Sequence, residues 1–284
     1  RLSWPLLVAF AAPVAADTLV VGNKVDDTVS FIDLMSGEEV ARPASGRWPH
    51  ELTLSPDGET VVVVSYRDET EVGRSLDLFD VGTAERTGVI DLSPAEAPHG
   101  ILWVPGTESI GGVTQYPGNV LRGDIARREV IDALVTGEDD PHLIALSPDG
   151  SRLYVTNRGS NTVSVASIDP LEVVATWPAG DGAEAIALTP DGAELWVGNR
   201  KAETITVFDT RDGTVLRDLA VGFDPVRLAV SPDGALIAVA DYSNARVGVL
   251  DATTGDQLAV VDLEAGAGIS QPSHLGFSDD GAAL

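Results

Sequence analysis

Histidine is scarce in this sequence, and its four histidines occupy nearly the same position of a repeated pattern. His50, His99 and His142 each follow a proline and stand five residues before a turn sequence, as in PHLIALSPDG. His274 lies one position later, in QPSHLGFSDDG. Neutral imidazole is the commonest protein ligand of transition metals, and its N–H groups can also donate to anions. The pattern therefore raises the question whether these side chains meet in the folded protein.

The histidines belong to a long repeat made of short strands. From Ser147 onward, successive turn sequences are 42, 42 and 47 residues apart. Apolar runs and alternating runs such as TVSVAS lie between the turns and are typical of strands in a sheet with two different faces. A strand repeat of this length predicts an all-β propeller with one four-stranded blade per repeat. The turns are SPDG at 55–58, 147–150 and 231–234, TPDG at 189–192, SDDG at 278–281 and a degenerate VPGT at 104–107.

Repetition of the blade places the polar residues on one face. The innermost strands surround a central channel, so their first residues form a ring around one mouth of it. The loops between second and third strands open on the same face, where cations alternate with acidic residues of neighbouring loops. We predict a ligand-binding site here that consists of Lys24, Arg67, Arg158, Arg200, His50, His99, His142 and His274. The acidic residues among them are Asp139, Asp140, Glu184 and Asp224.

Two uses of this mouth follow from its residue types. His50, His99 and His142 come from consecutive blades and could hold one metal ion at about 2.0–2.1 Å from their nitrogens. Strands of adjacent blades ordinarily begin too far apart for this, which favours a small anionic ligand or a protein partner instead. A purely structural alternative is that each histidine bonds a carbonyl of the next blade and was copied when the repeat duplicated.

The stretch LYVTNRGSNTVSV, preceded by SPDG, resembles the YVTN family of β-propeller repeats, which are found in exported bacterial and archaeal proteins. The resemblance covers about residues 18–284, and the family's usual ring has seven blades. Five complete blades are recognisable, and the residues left over are 18–43 and 273–278. We expect a seven-bladed ring whose last blade is truncated here. The alternative is that the two leftover segments pair and close a ring of six.

The N-terminal residues 1–16 are predicted to be a secretory signal peptide. An apolar run ends in small residues, with Val14 and Ala16 before a cleavage point at Asp17. The propeller domain then spans 17–284, and the protein is expected in the periplasm or outside the cell. No later stretch is long and apolar enough to span a membrane.

Composition excludes several classes of function. The chain contains no cysteine, which excludes disulfides and thiolate metal sites. A net charge of −26 repels phosphate backbones, so nucleic-acid binding is not expected. The sequence also lacks a GxSxG elbow, a phosphate-binding loop and a cysteine nucleophile.

Three functions remain open. The first is a binding scaffold without catalysis, which we favour. The second follows from Pro98-His99-Gly100, which resembles strand starts in the propellers of cytochrome cd1 and nitrous oxide reductases. That resemblance implies Cu, Zn or haem as a cofactor, although the electron-donor segments of both enzymes are missing. The third is a lactonase-like hydrolase with Glu184 and Asp224 around a metal.

Overall fold

Each repeat folds as an antiparallel meander because turn chemistry interrupts its apolar runs. In the turn at 147–150, Ser147 Oγ accepts from the backbone N–H of Arg152 at 2.9 Å. The Gly150 N–H closes the turn by donating to the Ser147 carbonyl at 2.8 Å. Gly150 has φ +69°, a conformation that glycine adopts without steric cost.

The computed structural model of the protein describes residues 18–263, 271–278 and 280–284. The predicted signal peptide, residues 1–16, lies outside the described residues. Blade I contains β1 (Thr18–Asn23), β2 (Thr28–Asp33) and β3 (Glu39–Ala41). Blade II contains β4 (Pro49–Leu54), β5 (Thr60–Arg67), β6 (Val72–Asp80) and β7 (Arg86–Asp91). Blade III contains β8 (Glu96–Trp103), β9 (Ser109–Tyr116), β10 (Asn119–Asp124) and β11 (Glu129–Val135).

The next three blades repeat the same order of strands. Blade IV contains β12 (Pro141–Leu146), β13 (Arg152–Asn157), β14 (Thr162–Ile168) and β15 (Leu171–Pro178). Blade V contains β16 (Ala183–Leu188), β17 (Glu194–Asn199), β18 (Thr204–Asp209) and β19 (Val215–Ala220). Blade VI contains β20 (Pro225–Val230), β21 (Leu236–Asp241), β22 (Arg246–Asp251) and β23 (Gln257–Asp262).

The predicted all-β propeller is confirmed, and its ring has six blades. Blades II to VI are four-stranded sheets with neighbouring strands in sequence order, and β1, β2 and β3 form the sixth sheet. From the segment 273–278, Ser273 and His274 line a cavity together with residues of β1 and β4. The six-bladed alternative therefore matches the structure, rather than the truncated ring of seven.

Apolar side chains fill the spaces between successive blades. In the cluster between blades IV and V, Trp177 lies between Tyr154 and Phe208, with ring centroids 5.9 and 5.5 Å away. Four further clusters join blades I–II, II–III, III–IV and V–VI in the same way. The outermost strands take little part, and every residue of β23 is exposed. The core is therefore divided among the blade interfaces, and the inner strands remain to carry a site.

A polar bridge joins the last blade to the first two. Arg227 of β20 donates to Glu51 Oε1 of β4 at 2.7 Å and to the Ser273 carbonyl at 3.2 Å. The side chains of Arg227 and Glu51 are only 14% and 11% exposed. Removing one partner of such a shielded ion pair lowers the free energy of unfolding strongly, because the charge of the other partner remains buried. None of the described residues forms a helix of the length and apolar character that crossing a bilayer requires.

Arg227→Leu is therefore expected to lower the free energy of unfolding by about 3 kcal/mol, measured by urea denaturation. The matched control is Arg74→Leu, which breaks the Arg74–Glu96 pair of blades II and III. Those side chains are 55% and 30% exposed, so the loss should stay below about 1 kcal/mol. Equal losses in the two variants would show that the Arg227 bridge does not stabilise ring closure.

Candidate functional site

The start of each histidine-bearing strand has the same local distortion. The residues before the three prolines, Trp48, Ala97 and Asp140, have φ values of 50°, 54° and 54°. The pairing of each strand with its neighbour then shifts just after the proline, so that two residues oppose one. Such a bulge re-aims the side chain at its position. In all three blades the first of the two bulged residues is the histidine.

The bulges bring three imidazoles into direct contact. The ring centroids of His50 and His99 are 4.5 Å apart, edge to face, and those of His99 and His142 are 3.8 Å apart. Adjacent inner strands therefore begin close enough for imidazoles of three consecutive blades to touch. Gly100 is one reason, since a Cβ there would lie 2.9 Å from the His142 carbonyl oxygen. Because glycine has no Cβ atom, β8 and β12 can approach each other closely at this position.

Tyr66 and Gln115 complete the wall around the imidazoles. The Tyr66 ring lies 4.9 Å from that of His50 and 5.0 Å from that of His99, between centroids. Its hydroxyl donates to Gln115 Oε1 at 2.8 Å. Gln115 Nε2 in turn lies 3.1 Å from His142 Nδ1, and His142 Nε2 lies 3.4 Å from Glu184 Oε1. Both nitrogens of His142 thus have partners, with the ring proton assigned to Nε2 by this arrangement.

Two of the predicted cations are neutralised by carboxylates. Arg158 donates to Asp140 at 2.7 Å and to Glu184 at 3.2 Å. Arg200 contacts Glu184 at 3.2 Å and holds Asp224 through two hydrogen bonds of 2.6 and 2.9 Å. Glu184 and Asp224, the carboxylates considered for a lactonase-like site, are therefore both engaged by arginine.

The other two predicted cations have aromatic neighbours instead. Lys24 Nζ lies 5.2 Å from the centroid of the Trp48 ring and 5.8 Å from that of Tyr66. Arg67 donates to the hydroxyls of Tyr66 and Tyr116 at 3.1 and 3.0 Å. Within the described part of the chain, neither Lys24 nor Arg67 forms an ion pair with a carboxylate. Their positive charges are thus available to a ligand.

One cavity of about 500 Å³ collects seven of the eight predicted residues. The lining includes Lys24, His50, Arg67, His99, His142, Arg158 and Arg200. The eighth residue, His274, lines an adjacent cavity of about 420 Å³, which it shares with His50, Glu51 and Arg227. His50 separates the two cavities and belongs to both.

Sequence reasoning missed four side chains of this site: Glu51, Tyr66, Gln115 and Arg227. Glu51 carried a usable signal, since it directly follows His50. Tyr66 directly precedes a predicted cation. Gln115 and Arg227 had none, because their roles depend on contacts between different blades. Gln115 contacts Tyr66, 49 residues away, and Arg227 contacts Glu51, 176 residues away.

Burial and neighbouring charges shift the pKa values of several groups. Burial lowers the pKa of His50 to about 4 and that of His99 well below its ordinary range. Burial and the nearby Arg227 lower the pKa of His274. Burial also lowers the pKa of Lys24, although Glu51 opposes this effect. For Glu184, burial is outweighed by His142, Arg200 and Arg158, which lower the pKa to about 2.

The pKa of His50 predicts a specific acid sensitivity of folding. Between its folded value of about 4 and the ordinary 6.5, the unfolded chain binds a proton that the folded protein does not. This contribution to stability is present above pH 6.5 and falls by about 2 kcal/mol at pH 5. His50→Phe keeps a ring in place but does not titrate. Urea denaturation in EDTA at pH 7.5 and pH 5 should therefore show a smaller stability loss in this variant, and an equal loss would contradict the assignment.

Comparisons with known proteins agree with this architecture. A family model described as YNCE-like beta-propeller matches residues 120–279. Among solved structures, hydrazine synthase of Kuenenia stuttgartiensis is similar, with 18% identity and a TM-score of 0.79 over 98% of this chain and 94% of that chain. A protein from Desulfotomaculum acetoxidans DSM 771, titled functionally unknown, has 20% identity and a TM-score of 0.75 over 87% of this chain and 79% of that one.

At these identities the two structures establish the fold alone. A search of curated proteins finds no match. The family match spans more than half of the chain, from within β10 of blade III to residue 279, and it agrees with the resemblance to YVTN-type repeats. This protein therefore belongs to the YNCE-like β-propeller family.

Proposed function

We propose that this protein is an exported binding propeller that takes a small anionic ligand into the cavity at its channel mouth. The observation that carries the proposal is the state of Lys24 and Arg67. Both line the cavity, and among the described residues neither is paired with a carboxylate. An anion would supply the missing partner.

The arrangement of the other charges supports an anion at this end of the cavity. Arg158, Arg200 and Arg227 are each held by an acidic side chain, so they contribute little free positive charge. The protein as a whole carries a net charge of −26. At physiological ionic strength that charge is screened beyond about 8 Å. Binding therefore depends on direct contact with Lys24 and Arg67 rather than on long-range attraction.

Shape and aromatic content favour a small organic anion over a protein partner. A cavity of about 500 Å³ has the size of an ordinary small-molecule site. Lys24 is half-buried beside Trp48 and Tyr66, where a protein surface would have difficulty reaching its ammonium group. A carboxylate or phosphate group could bind the cations while a flat body packs against Tyr66, Tyr116 or the imidazoles.

Anion binding can be tested by calorimetric titration with citrate, benzoate and inorganic phosphate at low ionic strength, on protein freed of metal with EDTA and then dialysed. We expect at least one probe to bind with one-to-one stoichiometry. The double variant Lys24→Met/Arg67→Met should weaken this binding at least tenfold, because both charged donors are lost.

A charge-matched control is Arg127→Met/Arg211→Met. These arginines lie in turns between third and fourth strands, on the opposite face, with side chains 70% and 85% exposed. The control should bind as the unchanged protein does. Equal weakening in both double variants would show that binding depends on net charge alone and not on Lys24 and Arg67. If the unchanged protein binds none of the probes, the anion site is refuted.

We propose export from the sequence of residues 1–16. Export would place the binding site in the periplasm or outside the cell. A bacterial cell that produces the chain with this segment should release it from the periplasm on osmotic shock, with Asp17 as the new N-terminal residue. Retention of the uncleaved chain in the cytoplasm would refute export. That result would leave the binding proposal intact.

A further inference from the structure

A compact group of three metal-binding side chains lies in the wall between the two cavities. His50, Glu51 and His99 each offer one ligand atom, and these atoms lie within 4.8 Å of one another. Two imidazole nitrogens and one carboxylate oxygen are a common donor set for zinc, and imidazole also suits copper. The group differs from the sequence-based prediction of His50, His99 and His142 by the exchange of His142 for Glu51.

A second, independent observation concerns His99. Its side chain is 2% exposed, yet Nδ1 has no hydrogen-bond partner among the described residues. Buried polar atoms are nearly always satisfied, so an orphaned ring nitrogen calls for a water or an ion that completes it. A cation bound through Nδ1 of His99 would remove this deficit.

The surroundings favour Glu51 over His142 as the third ligand. His142 already engages Gln115 and Glu184 through its two nitrogens, and its ring stacks on His99 at 3.8 Å. It therefore orients His99 from one side, while Tyr66 packs against the same ring at 5.0 Å. Supports of this kind fix the direction of a ligating imidazole.

Glu51 is likewise oriented by a neighbour. Arg227 donates to its Oε1 at 2.7 Å. The three ligand atoms lie within 4.8 Å of one another. Small rotations of the Glu51 and His50 side chains can bring them to the bond lengths of about 2.0–2.1 Å that a zinc ion needs. Arg227 and Lys24 add positive charge nearby, so we expect weaker binding than at a structural zinc site.

We propose that His50, Glu51 and His99 bind one divalent transition-metal ion, of the Zn²⁺ or Cu²⁺ class, in the wall of the mouth cavity. Three protein ligands leave at least one coordination position for water or an anion. A bare ion suits this place better than a haem, because the cavity wall carries several charged side chains and no broad apolar slot. The site uses neither Lys24 nor Arg67, so it does not rest on the anion proposal.

The test uses protein freed of metal with EDTA and then dialysed. Zn²⁺ is titrated in competition with a chromophoric chelator, and Co²⁺ is titrated separately to observe the visible absorption of the bound ion. We expect one ion per chain. Glu51→Gln and His99→Ala should each weaken binding at least tenfold, with loss of the cobalt spectrum.

His142→Phe discriminates between the two candidate ligand sets, since it keeps a stacked ring but offers no ligand atom. It should retain metal binding and the cobalt spectrum. Loss of binding in His142→Phe with retention in Glu51→Gln would overturn the proposal in favour of the three histidines. Absence of uptake by the unchanged protein, or equal uptake by it and both triad variants, would overturn the metal site altogether.

Folding and the anion site are controlled separately. Glu51→Gln is nearly isosteric, and its far-ultraviolet circular dichroism should match that of the unchanged protein. Zn²⁺ should raise the melting temperature of the unchanged protein but not that of Glu51→Gln. Lys24→Met/Arg67→Met should bind Zn²⁺ at least as tightly as the unchanged protein, because a positive charge near the metal ligands is removed. Failure of the metal site and failure of the anion site therefore give different results.

Discussion

The close approach of the inner strands at the channel mouth is the constraint on which the rest of the site depends. Each of blades II, III and IV begins its inner strand with a left-handed residue, a proline and a bulge, and each bulge presents a histidine. Successive blades are related by rotation about the channel axis. Histidines at the same position of the repeat therefore lie next to one another around that axis. Gly100 permits the stacking distance of 3.8 Å between His99 and His142 because a Cβ there would collide with the neighbouring backbone.

Electrostatics then divides the mouth into two halves. On the side of blades IV to VI, Arg158 and Arg200 are locked to Asp140, Glu184 and Asp224 in a continuous network. On the side of blades I to III, Lys24 and Arg67 contact aromatic rings and hydroxyls instead. In this first half both arginines are held by carboxylates, which outnumber them three to two. The second half contains the positive charges of Lys24 and Arg67 and the imidazoles of His50 and His99, whose pKa values are lowered by burial. That combination suits an anion beside a metal ion.

Ring closure couples the scaffold to the candidate metal site. Apolar clusters join the successive blades from I to VI. Across the closing contact, Arg227 of blade VI bridges Glu51 of blade II and the backbone of Ser273. The same carboxylate is one of the three grouped ligand atoms. A change in how the ring closes would therefore alter the site directly.

The sequence by itself determined the blade repeat, the turns and the face of the ring that bears the histidines and cations. These follow from local patterns: alternation sets the strands, SPDG sets the turns, and repetition sets which positions share a face. The tertiary structure decided that six blades form the ring and that Glu51 lies beside two histidines. It also decided that Arg158 and Arg200 are paired with carboxylates, whereas Lys24 and Arg67 have no such partner among the residues described. Such outcomes depend on distances of a few ångströms between side chains of different blades. The Arg227–Glu51 contact spans 176 residues, and no local pattern carries information over that separation.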